Sequence, residues 1–219
     1  MDVHARPVLV YRWIVFLLAA GYALYQIVTA DYSKPGGPFR FLTIWALLLS
    51  FYSASRMLAI SEDRITRPHH VTAMCAAVLN VMVVFLYWRL FFQDPALVGG
   101  DNIPPLEQYY LHGAGPLLQI IDALFIGRVF HRAWRAAVPL VGLVAVYVAW
   151  AELFVQRFNT TPSGPVTSGL PYPFLNAMAF PDRAIFYMSN AGLAIIVLAG
   201  LAALGWVVTR LSRPSLVKN

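Results

Sequence analysis

The chain has 219 residues, of which 59% are hydrophobic and 12% charged, and sixteen Lys and Arg stand against ten Asp and Glu for a net charge of +6. That balance excludes an ordinary soluble domain. Because the cations are divided among short segments and not gathered with aromatics into one patch, it also disfavours a nucleic-acid binder.

In chain order, apolar runs fall near Val8 to Ala30, Phe41 to Ile60, Val71 to Phe92, Tyr109 to Phe130, Ala136 to Phe158 and Arg183 to Thr209. Each reaches the roughly 20 residues needed to cross a hydrocarbon core. The first run follows Arg6 as a signal sequence might. It extends past the usual apolar stretch of about 7 to 15 residues and shows no clear small-residue cleavage site, so it reads as a retained helix. Turn-rich punctuation separates the runs, as in Ser33-Lys34-Pro35-Gly36-Gly37-Pro38. The expected fold is all-α: one polytopic membrane domain over residues 1–219 with six transmembrane helices. With the N-terminus inside, Arg6, Arg12, Arg56, Arg64, Arg67, Arg128, Arg132, Arg135, Arg210, Arg213 and Lys218 face the cytoplasm, and Lys34, Arg40, Arg89, Arg157 and Arg183 face outward. Both termini are therefore expected in the cytoplasm. The outer connection from Asn159 to Phe180 is the longest. Its Pro162, Gly164, Pro165, Gly169, Pro171 and Pro173 predict an ordered cap near the outer surface.

Two reactive side chains fall at one depth. Thr43 lies three residues beyond Arg40 on the second run, and His112 five beyond Glu107 on the fourth, which puts both within about 5 to 8 Å of the outer boundary. On the fourth helix His112, Gly115, Pro116 and Gln119 share a face, and on the second Thr43, Leu47, Ser50 and Ala54 do so. Polar faces turn away from lipid, so the two stripes can meet. A threonine hydroxyl with an adjacent imidazole can attack an ester carbonyl and return the proton to the departing alkoxide. Pro116 leaves the carbonyl of His112 without its usual helical partner, and Gly113 and Gly115 let the backbone bend. Amides near Gly113 are candidate oxyanion donors.

Asp122 lies ten residues past His112, about 15 Å deeper, so the expectation is a dyad and not a triad. An ionisable group at that depth needs a proton, a cationic partner or trapped water, with Gln119 as its nearest predictable neighbour. Arg12 and Arg56 read as cations that snorkel to the cytoplasmic surface. Trp88 and Tyr172 read as interfacial anchors. Cys75 stands alone, so a disulfide within the chain is excluded, and His69, His70 and His131 belong to the inner side, where they cannot join His112. No metal and no cofactor is expected. The competing class is a small transporter or scaffold, with Asp122, Gln119, Asn80 and Arg56 along a pathway. The Gly and Pro residues weigh against it, since they concentrate in outer loops and do not break two helices at mid-depth.

Several stretches resemble one family when taken in order: Phe41-Leu42-Thr43, Phe85-Leu86-Tyr87-Trp88 with Asp94 soon after, Leu111-His112 with an acidic residue ten positions on, and Tyr172-Pro173 before the last helix. They are similar to the androgen-induced-gene and androgen-dependent TFPI-regulating protein family over about three quarters of the chain. The resemblance implies a multi-pass membrane threonine hydrolase acting on fatty acid esters of hydroxy fatty acids, with Thr43 as nucleophile and His112 as its base. The chain departs from the family's pattern at Gln108, Tyr109 and Gly113, around the histidine. The excess of Arg over Lys and the compact length point to a bacterial relative, hence to an inner (plasma) membrane. A lipid ester would enter from the bilayer, and Arg89 or Arg40, both near the outer end, would hold its free carboxylate.

Overall fold

The computed structural model describes residues 2–98, 104–162 and 169–212, and among them the regular structure is helical throughout. Among the described residues five helices are long and apolar enough to cross a membrane: α1 Arg6–Thr29, α2 Leu42–Ser61, α3 His70–Phe91, α5 Trp134–Phe158 and α6 Phe180–Leu211. Each closes its backbone hydrogen bonds internally, as an apolar surround requires. Of the expected cap, Gly164 and Pro165 lie outside the described residues, as do the basic residues Arg213 and Lys218.

The fourth run differs from the uninterrupted helix expected at 109–130. It begins at Pro105 and proceeds as Pro105–Tyr109, a wider π turn Tyr110–Ala114, Gly115–Ile121 and a second π turn Asp122–Ile126, together called α4. The first widening has a local cause. Pro116 offers no N–H to the carbonyl of His112, so the helix loosens there. The Gly115 amide bonds the carbonyl of Tyr110, and His112 itself leaves helical geometry at φ −115° and ψ 18°. After the second widening, Arg128 adopts a left-handed φ of 46° and the chain turns through Val129–Arg132 into α5.

α3 is the hub, packed against α2, α4, α5 and α6, while α1 lies across α2 and α4. Small side chains permit the close approach: Ala73, Ala76, Ala77 and Val78 on α3 are almost wholly enclosed. Side-chain bonds fix the course of α4 along α1. The Tyr11 hydroxyl donates to the Leu118 carbonyl at 2.6 Å, Arg12 pairs with Asp122, and the Gln26 amide donates to Glu107. Residue numbers rise on one helix as they fall on the other, so α4 runs antiparallel to α1 over about 21 Å.

Arg12 does not snorkel. It is 2% exposed, and its guanidinium grips both oxygens of Asp122 at 2.9 and 2.8 Å. Its remaining nitrogen donates to the Met57 carbonyl at 2.8 Å and to Ser61 Oγ at 2.9 Å. The expected alternatives for Asp122 thus resolve to a cationic partner, and one that sits on another helix. At the opposite end of the bundle Arg183 and Tyr187 of α6 bond Glu152 of α5, joining the last two helices.

Candidate active site

Four aromatic side chains pin the segment leading into α2. The indoles of Trp45 and Trp150 both donate to the Phe39 carbonyl, at 2.8 and 3.1 Å, and the Tyr147 hydroxyl donates to the Arg40 carbonyl at 2.9 Å. The Tyr172 hydroxyl accepts the Leu42 amide at 3.0 Å. The first amides of a helix have no partner within it, so Tyr172 serves as an outside cap. Thr43 follows directly and inherits a fixed position.

His112 is held on three sides. Its ring lies flat on that of Tyr87, with centroids 3.5 Å apart and planes 6° from parallel. Its backbone carbonyl, freed by Pro116, accepts the Trp88 indole N–H at 2.7 Å. Its Nδ1 stands 3.3 Å from the Gln108 carbonyl, and the Gln108 side chain reaches the Tyr87 hydroxyl. A carbonyl can only accept, so this contact places the ring proton on Nδ1 and leaves Nε2 with a free lone pair. Nε2 faces Thr43 Oγ1 at 3.4 Å. That is the long limit of a hydrogen bond.

A cavity of about 570 Å³ opens over the pair, lined by Gln26, Lys34, Arg40, Glu107, Thr43 and His112 and by Pro171 to Pro173. Arg40 is the unsettled charge within it. Its Nε is buried without a hydrogen-bond partner among the described residues, although the guanidinium rests 4.8 Å above the Phe41 ring. Burial pushes the Arg40 pKa down and the Asp31 carboxylate only partly offsets this. A guanidinium in that condition is suited to an incoming anion.

The structure therefore brings Thr43, His112 and Arg40 to one cavity. Arg89 is exposed and lies 6.0 Å from the Phe85 ring, outside the residues lining the cavity. Gly113 belongs to the π turn, with open space where a side chain would be, and is likewise absent from the lining. Trp88 and Tyr172 carry more than an interfacial role, since they fix the backbones that present the histidine and the threonine. For Trp88 a sequence signal existed: Pro116 implied a carbonyl at His112 in want of a donor. For Tyr172 there was none, because its partner amide lies 130 residues away. His70 and His131 meet ring to ring at 4.9 Å at the far end of the bundle, and among the described residues no cluster of His, Cys, Asp and Glu suits a metal.

The family model described as FAR-17a/AIG1-like protein matches residues 8–205. Comparison with curated proteins and with solved structures gave no match.

Proposed function

Because the chain belongs to the FAR-17a/AIG1-like family, whose members are associated with hydrolase activity, we propose that it is an intramembrane ester hydrolase with Thr43 as nucleophile and His112 as general base. The observation that carries this reading is the 3.4 Å approach of Thr43 Oγ1 to an imidazole nitrogen whose partner nitrogen is committed to a carbonyl. As Oγ1 bonds the ester carbon, Nε2 takes the hydroxyl proton and passes it to the alkoxide as the C–O bond breaks. Water then adds to the acyl-threonine, gives up a proton by the same route, and releases the acid. The Gln108 carbonyl orients the imidazole and stabilises the imidazolium that forms.

The substrate in this reading is a fatty acid ester of a hydroxy fatty acid, entering from the bilayer. Arg40 meets its free carboxylate. α4 is the sixth span, since its bonds to α1 follow that helix over most of its length, and an even number of spans places both termini on the basic, cytoplasmic side of an inner membrane. Against the transporter alternative, Asp122 is engaged by Arg12 and Asn80 donates to Ser50 Oγ at 2.7 Å.

The test is made on detergent-purified protein. Thr43→Ala and His112→Ala should each abolish ester turnover and covalent labelling by a fluorophosphonate, while Thr43→Ser keeps a measurable fraction of both. Wild-type activity should fall toward acid as His112 gains a proton and its lone pair disappears. Full turnover by a folded Thr43→Ala variant would rule the mechanism out.

A further inference from the structure

Thr43 lines three cavities, and the two larger ones differ in chemistry. The second, of about 120 Å³, runs between α3, α5 and α6, and its apolar wall includes Val83, Leu86, Leu90, Val144, Val148 and Phe186. Besides Thr43, five polar side chains touch it, and each is engaged elsewhere: the Tyr87 hydroxyl accepts the Gln108 amide, and four more are held as follows. Tyr147 donates to the Arg40 carbonyl, Tyr172 accepts the Leu42 amide, Tyr187 donates to Glu152, and Asn190 donates to the Phe186 carbonyl. The phenols turn their rings to the slot and keep their hydroxyls for the protein. Such a wall suits hydrocarbon and little else.

The register of the helices gives the slot a direction. Tyr87 stacks on His112 at the level of the reacting pair, and Val83 lies one turn deeper on α3. Val144 is likewise deeper than Tyr147 on α5, and Asn190 deeper than Phe186 on α6. From Leu90 to Val83 the slot extends about 10 Å along α3, with Thr43 near the level of Tyr87 and with Val83 and Val144 near its floor, about 6 Å deeper.

We propose that this slot holds the acyl chain of the ester, so that the acid half is the part transferred to Thr43 and the alcohol half occupies the polar cavity beside Arg40. The assignment rests on the Thr43–His112 reading and adds an orientation to it. Thr43 Oγ1 bonds the carbonyl carbon where the slot meets the polar cavity, and the ester C–O bond breaks toward that cavity. The proton from Thr43 travels through His112 to the departing alkoxide, and the alcohol leaves while the acyl chain stays in place. Water adds next, restoring the Thr43 hydroxyl and freeing the acid. Val83 and Val144 then set the longest chain accepted.

Two ester series separate the halves, one varied in acyl length with a constant alcohol and one varied in alcohol length with a constant acyl group. Val83→Phe and Val144→Phe fill the floor and should lower the ratio of kcat/KM for long over short acyl chains by about tenfold or more. Val83→Ala should move the preference toward longer chains. Dependence on alcohol length should follow the wild type in all three. Val144 is only half-buried, so its variant keeps the test available if Val83→Phe does not fold. An acyl-length profile that does not shift, or a shift confined to the alcohol series, overturns the slot assignment alone. Absence of both turnover and fluorophosphonate label in the wild-type protein overturns the Thr43–His112 reading and the slot assignment with it.

Discussion

Arg40 and Arg89 make a controlled comparison at the level of single residues. Both are arginines near one end of the bundle, yet Arg40 lines the cavity with a buried Nε in want of a partner, and Arg89 is exposed against Phe85. A hydrogen bond to a charged group contributes about 1.5 to 3 kcal/mol, so Arg40→Gln should raise KM by about tenfold for an ester with a free carboxylate. Its methyl-ester analogue should change little, and Arg89→Gln should leave both alike. Kinetics on the acid and its methyl ester in mixed micelles decide the matter, and equal losses on both substrates would remove the carboxylate role. The Thr43 and His112 pair was legible in the sequence because depth follows from helical rise, and each residue lies a countable distance from a charged boundary. The choice between Arg40 and Arg89 was not. Both satisfy the same count, and only the packing around Phe41 and Phe85 separates them.

The helices succeed or fail in prediction for another reason. The runs that became α1, α2, α3 and α5 start and stop within about two residues of expectation, since apolar length alone sets them, and α6 extends a few residues further. α4 does not obey that rule. Pro116 and its neighbours divide it, and its Glu107, Gln108 and Asp122 are bonded by other helices. Arg12 was misread because α1 considered alone offers a cation near one end, for which snorkelling is the cheapest outcome. Its partner Asp122 stands 110 positions away, beyond the reach of any local pattern. Removal of one member of such a pair leaves a buried charge and costs about 3 to 5 kcal/mol. Arg12→Met or Asp122→Leu should therefore each destabilise the protein by that order, whereas the double variant should recover most of the loss. Thermal unfolding in detergent gives the measurement. Additive losses would mean that the two side chains act separately.

At the scale of the molecule, six crossings and a cytoplasmic location for both termini can be checked with the cysteine content the chain already has. Cys75 is the sole cysteine and is buried, so Cys75→Ala supplies a blank background. Single cysteines introduced at Asp2 and Ser212 should react with an impermeant maleimide only after the cell membrane is opened, and one at Asp31 should react in intact cells. Labelling of Asp2 and Ser212 from opposite sides would mean an odd number of crossings and would exclude α4 as a span. The helical, membrane-length character of the chain was readable from composition, but the hub position of α3 was not. Its strip of Ala73, Ala76 and Ala77 looks like any apolar helix until four neighbours close around it.

The Arg12–Asp122 bond also carries a consequence for how the chain comes into being. A ribosome delivers α1 before α4, and at about 5 to 20 residues per second the 110 intervening positions take roughly 5 to 20 s. Throughout that interval a guanidinium destined for burial has no counter-charge. Newly made α1 must either keep Arg12 at the lipid headgroups or borrow a partner from whatever machinery attends membrane insertion. Arrival of α4 releases it, and the same event that satisfies Arg12 lays the histidine-bearing helix beside α1. Final seating of the first helix and placement of His112 beside α2 are thus coupled in assembly, and a chain interrupted before residue 122 would leave Arg12 without its carboxylate partner.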